Sequence, residues 1–144
     1  MKHRKGWWLA CVVALLAFPA LARKPPQASF SAIHSDSSLL GKKIRLEACM
    51  SLPLSTNPTS PNDQVLLYPC GLRTHDAMLK NAIMGKITSE RVVKPFNDAG
   101  ITFEGEVGAT FLGTLSKVEA GVDGDDAYFV LAIDKVISPF ERDL

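Results

Sequence analysis

Residues 43–52, Lys-Ile-Arg-Leu-Glu-Ala-Cys-Met-Ser-Leu, decide the fold of this chain. Every second residue of this stretch is apolar, namely Ile44, Leu46, Ala48, Met50 and Leu52. An alternation with period two over ten residues is typical of a β-strand with one buried face and one exposed face. We therefore expect a sheet or barrel in which this strand covers the core with its apolar side.

A second strand and an ambiguous segment follow. Residues 53–63 are rich in Pro, Ser, Thr and Asn, which is typical of a loop. Residues 64–70 then predict a strand that ends at Pro69, because a proline ring cannot continue a β-ladder. Residues 77–88 are compatible with one helix, or with a short helical piece followed by a third strand over residues 82–87. We favour the second interpretation.

A short helix is predicted over residues 89–100, with Ser89 as its N-cap and Gly100 as the residue that ends it. Pro95 lies inside this segment, where it removes a backbone hydrogen bond. The helix is therefore expected to be broken into two turns.

Two more strands complete the pattern. Residues 101–107 alternate again, with Gly105 on the inward side, where a barrel strand coils sharply. Residues 111–118 either prolong this strand or fold back over it. The last strand, residues 127–137, is apolar on both faces, as expected for a strand covered on both sides, and Ser138-Pro139 ends it.

The order strand, strand, strand, helix, strand, strand is that of the OB-fold, a five-stranded, partly open Greek-key barrel. The alternative is an irregular α+β domain with a four-stranded meander, which follows if residues 77–88 are helical throughout. The opening Leu-Leu-Gly-Lys-Lys-Ile-Arg-Leu, the Leu67-Tyr68-Pro69 strand end and Gly105 resemble small signal-bearing bacterial proteins with OB-like barrels. The resemblance covers residues 39–137. It implies that residues 39–144 form a mainly β domain that contains one short helix.

The first 22 residues are typical of a secretory signal peptide. Lys2, Arg4 and Lys5 form a positive head, residues 7–18 are almost all apolar, and Ala20-Leu21-Ala22 supplies small residues at the cleavage site. The apolar run of 12 residues is shorter than the roughly 20 that a membrane-spanning helix needs, so no permanent anchor is expected. We expect cleavage near Ala22, a periplasmic or secreted protein, and an extended lead-in over residues 23–38.

Charge and composition argue against a nucleic-acid partner. The full chain has 16 basic and 15 acidic residues, and removal of the three basic residues of the signal leaves 13 against 15, a balance of −2. Both tryptophans also lie in the signal. A near-neutral domain lacks the electrostatic footprint of a polynucleotide-binding protein.

Cys49 and Cys70 remain after the signal is removed. In an oxidising compartment an even pair predicts a disulfide, and the antiparallel return of the second strand brings Cys70 near Cys49. Closing a loop of about 20 residues stabilises a fold by about 3 kcal/mol in the chain-entropy model. Two free buried thiols are the alternative.

Candidate catalytic and metal-binding residues are scattered. His34 and His75 lack the spacing of a zinc site, and the acidic turn at Asp123 and Asp125 lacks the ligand pattern of an EF-hand. We expect no catalytic residue, no metal and no cofactor. A periplasmic enzyme would have to use the Glu104–Glu106 pair, or a cysteine with His75 as its base.

Binding is the function that the predicted fold favours. An OB barrel binds its ligand on the outer face of strands two and three, between the loops that join strands one to two and four to five. We therefore predict that the binding residues of this chain lie on that face and in those loops, namely Tyr68, Asn57, Asn62, Asp123 and Asp125. We expect a non-catalytic exported module that engages an envelope protein or a small polar ligand. A thiol- or carboxylate-based enzyme and an oligonucleotide-binding barrel are the alternatives, and no oligomeric state is predicted.

Overall fold

The computed structural model describes residues 23–51, 64–122 and 124–143. The strands in these ranges are β1 (Gln27–Ala28), β2 (Lys43–Ser51), β3 (Gln64–Tyr68), β4 (Ile83–Ile87), β5 (Glu106–Val118) and β6 (Tyr128–Arg142). The helices are α1 (Phe30–Ser35), α2 (His75–Asn81) and α3 (Lys94–Asp98), with single 3-10 turns at Ser37–Leu39 and Glu90–Val92. The predicted signal peptide and the predicted loop over residues 53–63 lie outside the described residues.

The five longer strands close into a barrel. β2 pairs with both β3 and β5, and the pairs β3–β4, β4–β6 and β6–β5 complete the ring. All of these pairs are antiparallel except β4–β6, and β1 adds a short parallel pair to β2. The mainly β fold with a closed, OB-like five-stranded barrel is therefore confirmed, and the α+β meander is wrong.

Alternation along the strands builds the core, as the pattern of residues 43–52 predicted. Ile44, Leu46 and Ala48 of β2 are fully buried, whereas Lys43 before them and Glu47 among them are exposed. Burial of a side chain the size of Leu or Ile contributes about 1.5–3 kcal/mol. The same alternation in the other strands adds further fully buried residues, among them Val65, Leu67, Phe111, Leu115, Leu131 and Ile133.

The segment between β4 and β5 covers one part of this core. The Phe96 ring of α3 lies 6.4 Å from the ring of Phe111, and Val92 and Val93 just before α3 are also buried. Pro95 is the second residue of α3, and the 3-10 turn before it is a separate element. The predicted break into two turns is therefore present, and it leaves proline in the first helical turn, where its missing N–H does no harm.

One segment differs from the sequence-based expectation, and an ambiguous one is resolved. Residues 23–38 are not extended throughout, because α1 begins after the N-cap Ser29 and buries Phe30 and Ile33 in the core. Within residues 77–88, the favoured interpretation is correct: α2 ends at Asn81 and β4 begins at Ile83. Among the described residues, α1 is therefore the helix that the sequence did not predict, whereas α2 is the helical piece expected before β4.

The fourth predicted strand, which is β5, starts later than predicted, and the fifth, which is β6, ends later than predicted. Residues 101–105 form a loop in which Phe103 has a φ of 63°, and β5 then runs continuously, so that residues 111–118 prolong it. β6 continues past Ser138-Pro139 because these two residues oppose the single Ala109 of β5, which makes a β-bulge. The bulge accommodates a proline that a regular ladder would exclude.

Candidate functional site

Cys49 and Cys70 form the predicted disulfide, with their Cα atoms 4.9 Å apart. The β2–β3 register explains the contact, because Cys49 lies opposite Tyr68, two residues before Cys70. The bridge thus ties the middle of the barrel wall to the chain leaving β3. It indicates that the protein folds in an oxidising compartment.

Tyr68, which the sequence predicted as a binding residue, lies on the outer side of β3 but is only 6% exposed. Together with Met50, Met78, Phe103 and Glu106 it lines a cavity of about 270 Å³. Burial raises the pKa of the Tyr68 hydroxyl above its usual value, and the negative charge of Glu106 adds to this effect. Tyr68 therefore offers a partner little surface of its own.

The outer side of β3, β4 and β6 carries a row of apolar residues. Leu66 lies opposite Met84, and Met84 lies opposite Val130, so the three side chains form one cross-strand row. One step along the same side, Val118 of β5 lies opposite Tyr128. With Leu79 of α2 these residues form what we call the apolar face: Leu66, Leu79, Met84, Val118, Tyr128 and Val130.

Three members of the apolar face are conspicuously exposed, namely Leu79 at 50%, Tyr128 at 44% and Val118 at 40%. Only one other large apolar side chain among the described residues, Val122 in the β5–β6 loop, is as exposed. Leu66, Leu79, Met84 and Tyr128 line a groove of about 300 Å³, with Gln64 at its edge. Contiguous exposed apolar surface of this kind is typical of an interaction site.

Acidic residues flank one end of the apolar face. Glu119, Asp125 and Asp126 lie in the loop between Val118 and Tyr128, and all three are exposed. The Lys117 Nζ atom lies 3.8 Å from the Glu119 Oε1 atom, and this ion pair offsets part of the negative charge of the loop. Of the predicted binding residues, Asp125 is therefore next to the apolar face, whereas Asn57, Asn62 and Asp123 lie outside the described residues.

The sequence contained a signal for the apolar face that was interpreted differently. Residues 127–137 are apolar on both faces, which predicted that both would be covered. The structure covers the inner face fully at Leu131 and Ile133 but leaves Tyr128 exposed and Val130 half-buried on the outer face. The apolar outer side of β6 was therefore the sequence signal for the apolar face, and the prediction that it would be covered was wrong.

The residues proposed for the alternative enzyme are far from a catalytic arrangement. Glu104 and Glu106 do not share a strand, because Glu104 lies in the loop before β5, and the Glu106 carboxylate accepts a 3.0 Å hydrogen bond from the Gly71 N–H. Both cysteines are bonded to each other. His75, the base of the thiol alternative, is the exposed first residue of α2. His34, the other histidine considered as a metal ligand, packs edge-on against Phe129, with ring centroids 5.0 Å apart.

In the three described ranges, no group of three or more His, Cys, Asp or Glu side chains is placed to hold a metal ion. None of the helices there is long and apolar enough to span a bilayer. Comparisons with protein-family models, with curated proteins and with solved structures find no match to this chain.

Proposed function

We propose that this chain is a non-catalytic binding module of the cell envelope that engages a partner protein through the apolar face. The observation that carries the proposal is the cluster of Leu79, Val118 and Tyr128, three exposed large apolar side chains on one side of the barrel. This side includes the outer surface of the second and third barrel strands, where OB barrels hold their ligands. The module acts in the periplasm or outside the cell, in keeping with its disulfide.

The shape and chemistry of the groove define the partner. Its walls are aliphatic and aromatic side chains, so its occupant is an apolar side chain, and aromatic or large aliphatic anchors of this kind dominate protein interfaces. The acidic residues Glu119, Asp125 and Asp126 beside the groove favour a positively charged neighbour. The expected ligand is therefore a protein segment with a large apolar residue near Lys or Arg.

A capture experiment with matched variants tests the proposal. The bait proteins are the wild type, Tyr128→Ser and Leu79→Ser, with an envelope extract of the cells that produce the chain as the source of partners. Ile137→Thr serves as the control, because Ile137 is a half-buried β6 residue outside the apolar face and threonine keeps its β-branched shape.

The proposal expects a protein that the wild type and Ile137→Thr retain and that both apolar-face variants lose. Retention should also weaken at high salt, since screening reduces attraction between the acidic loop and a basic partner. Equal capture by all four baits, or no captured protein, contradicts the proposal.

A further inference from the structure

A second surface depression shares no residue with the apolar face and is lined by both polar and apolar side chains. It has a volume of about 730 Å³ and lies where β1 and the start of α1 meet β2, the chain after β3 and the end of β6. Its polar side chains, which define what we call the polar cleft, are Gln27, Ser29, Ser31, Glu47, Asn81 and Arg142. Phe30, Pro69 and Cys70 complete its walls.

Arg142 stacks on an aromatic ring at this cleft. Its guanidinium carbon lies 4.8 Å from the centre of the Phe140 ring, in a cation–π arrangement. Phe140 in turn rests on Gly108, where the space for a Cβ is taken by the ring. A stacked guanidinium loses less freedom when it binds an oxyanion, and its planar fork matches a carboxylate in two parallel hydrogen bonds.

Glu47 supplies the opposite charge. It is an exposed residue of β2 that lies across from Thr110, whereas Arg142 lies across from Glu106 on the same strand β5. Glu47 and Arg142 lie on the two strands that flank β5, and their partners on β5 are four residues apart. The Cα atoms of Glu47 and Arg142 are therefore about 16 Å apart along the sheet. Neither residue takes part in an ion pair within the described ranges, although both line one cleft.

The geometry points to a binding site for a small zwitterion, an amino acid or a short peptide with free ends. The carboxylate of the ligand binds the Arg142 guanidinium, and its ammonium group binds the Glu47 carboxylate. Ser29 and Ser31 share a 3.0 Å hydrogen bond between their hydroxyls, and the Asn81 amide nitrogen donates to the Ala77 carbonyl. Each of these side chains keeps further donor or acceptor capacity for the polar groups between the two ends of the ligand. A direct ion pair between Glu47 and Arg142 would occupy both charges and compete with the ligand. No such pair forms within the described ranges.

The walls of the polar cleft are fixed before a ligand arrives. The disulfide holds Cys70 to β2 on one side. On another side, β1 pairs with β2 at Arg45 and Leu46, and the Arg45 N–H donates a 2.9 Å hydrogen bond to the Pro26 carbonyl. Preorganisation of this kind lowers the entropy lost on binding.

Titration with three related dipeptides tests the assignment. The probes are Ala-Ala with free ends, N-acetyl-Ala-Ala, which lacks the ammonium group, and Ala-Ala amide, which lacks the carboxylate. Binding is followed by NMR chemical-shift changes and by calorimetry on the purified protein. The free dipeptide should bind about tenfold more tightly than either blocked form, as expected when one charge-assisted hydrogen-bonded contact is lost.

Substitutions assign the two charges. Arg142→Gln should weaken binding of the free dipeptide about tenfold and leave binding of the amide unchanged. Glu47→Gln should weaken binding of the free dipeptide by a similar factor and leave binding of the acetylated form unchanged. Arg91→Gln and Glu90→Gln are matched controls, since both residues are exposed on the 3-10 turn before α3 and do not line the cleft. Equal binding of all three probes, no binding at millimolar concentration, or equal binding by Arg142→Gln contradicts the inference, provided circular dichroism shows each variant folded.

Discussion

The ring of Phe140 occupies the space in which any residue other than glycine at position 108 would place its Cβ. Glycine at this point of β5 lets the tip of the Phe140 ring of β6 approach the barrel wall beside the Cys49 sulfur. The same Cβ would also come within 2.8 Å of the Ala48 carbonyl and 2.9 Å of the Cys49 sulfur. Gly108 is therefore required by close approach of three neighbours, not by its backbone angles.

Gly108→Ala should destabilise the protein by about 1–3 kcal/mol, the range typical of overpacking at a tight site. The measurement is urea unfolding followed by circular dichroism. In the double variant Gly108→Ala/Phe140→Ala, the cost should be smaller than the sum of the two single costs, because the smaller side chain no longer meets the new methyl group. Additive costs would show that Phe140 does not lie over Gly108.

The carboxylate of Glu141 organises the loop before β5. It accepts backbone hydrogen bonds from Thr102 (2.8 Å), Glu104 (2.8 Å) and Gly105 (2.9 Å), on both sides of Phe103 and its positive φ. These N–H donors stabilise the charged form and hold the pKa of Glu141 below its ordinary value of 4.5. The folded state therefore takes up this proton at a lower pH than the unfolded chain does.

The consequence is a pH-dependent stability difference between the wild type and Glu141→Gln. Because the folded pKa is lowered, the stabilisation by Glu141 is fully present above the unfolded pKa of about 4.5 and is lost as the pH falls through the folded pKa. The wild type should unfold at higher urea than Glu141→Gln at pH 7, and this advantage should shrink progressively in acid. Glu104→Gln is the control, and an advantage that does not change with pH would contradict the role of the charged carboxylate.

The disulfide should account for a large share of the stability of so small a barrel. Replacing both Cys49 and Cys70 by serine removes a bridge between residues 21 apart in sequence. The chain-entropy model assigns a bridge over a loop of this length about 3 kcal/mol. Urea unfolding of the Cys49→Ser/Cys70→Ser variant, compared with the wild type before and after reduction, measures the loss. Equal stability of the oxidised and reduced wild type would contradict this expectation.

Strand positions followed from side-chain patterns where one side of a strand was clearly polar. In β2, Lys43 and Glu47 alternate with buried Ile44 and Leu46, and the strand lies where the sequence predicted it. The loop over residues 101–105 alternates as well, yet it is not a strand, because its N–H groups bond to Glu141 about 40 residues later. A contact with so distant a residue has no local signature.

The apolar face was harder to predict because its members come from five separate elements. Leu66, Met84 and Val130 are unremarkable singly, and only the strand register places them in one row. Conversely, Tyr68 was predicted as a binding residue because it lies on the outer face of strands two and three, where OB barrels bind ligands, but it is only 6% exposed. Side-chain type and strand phase were therefore readable from the sequence, whereas coverage of the outer surface by helices was not.

The hydroxyl of Tyr68 should lose its proton only above the ordinary range of a tyrosine. Burial and the nearby negative charge of Glu106 raise the pKa of Tyr68 above its ordinary value of 10. Because the folded state retains the Tyr68 proton to a higher pH than the unfolded chain, its contribution to stability is present below pH 10 and is lost as the pH rises through the folded pKa. Ultraviolet absorbance should show a late tyrosinate step that is absent in Tyr68→Phe and moves to lower pH in Glu106→Gln. Tyr128→Phe, a substitution at the other tyrosine, should keep this late step and serves as the control. A late step that survives in Tyr68→Phe would contradict the burial of this hydroxyl.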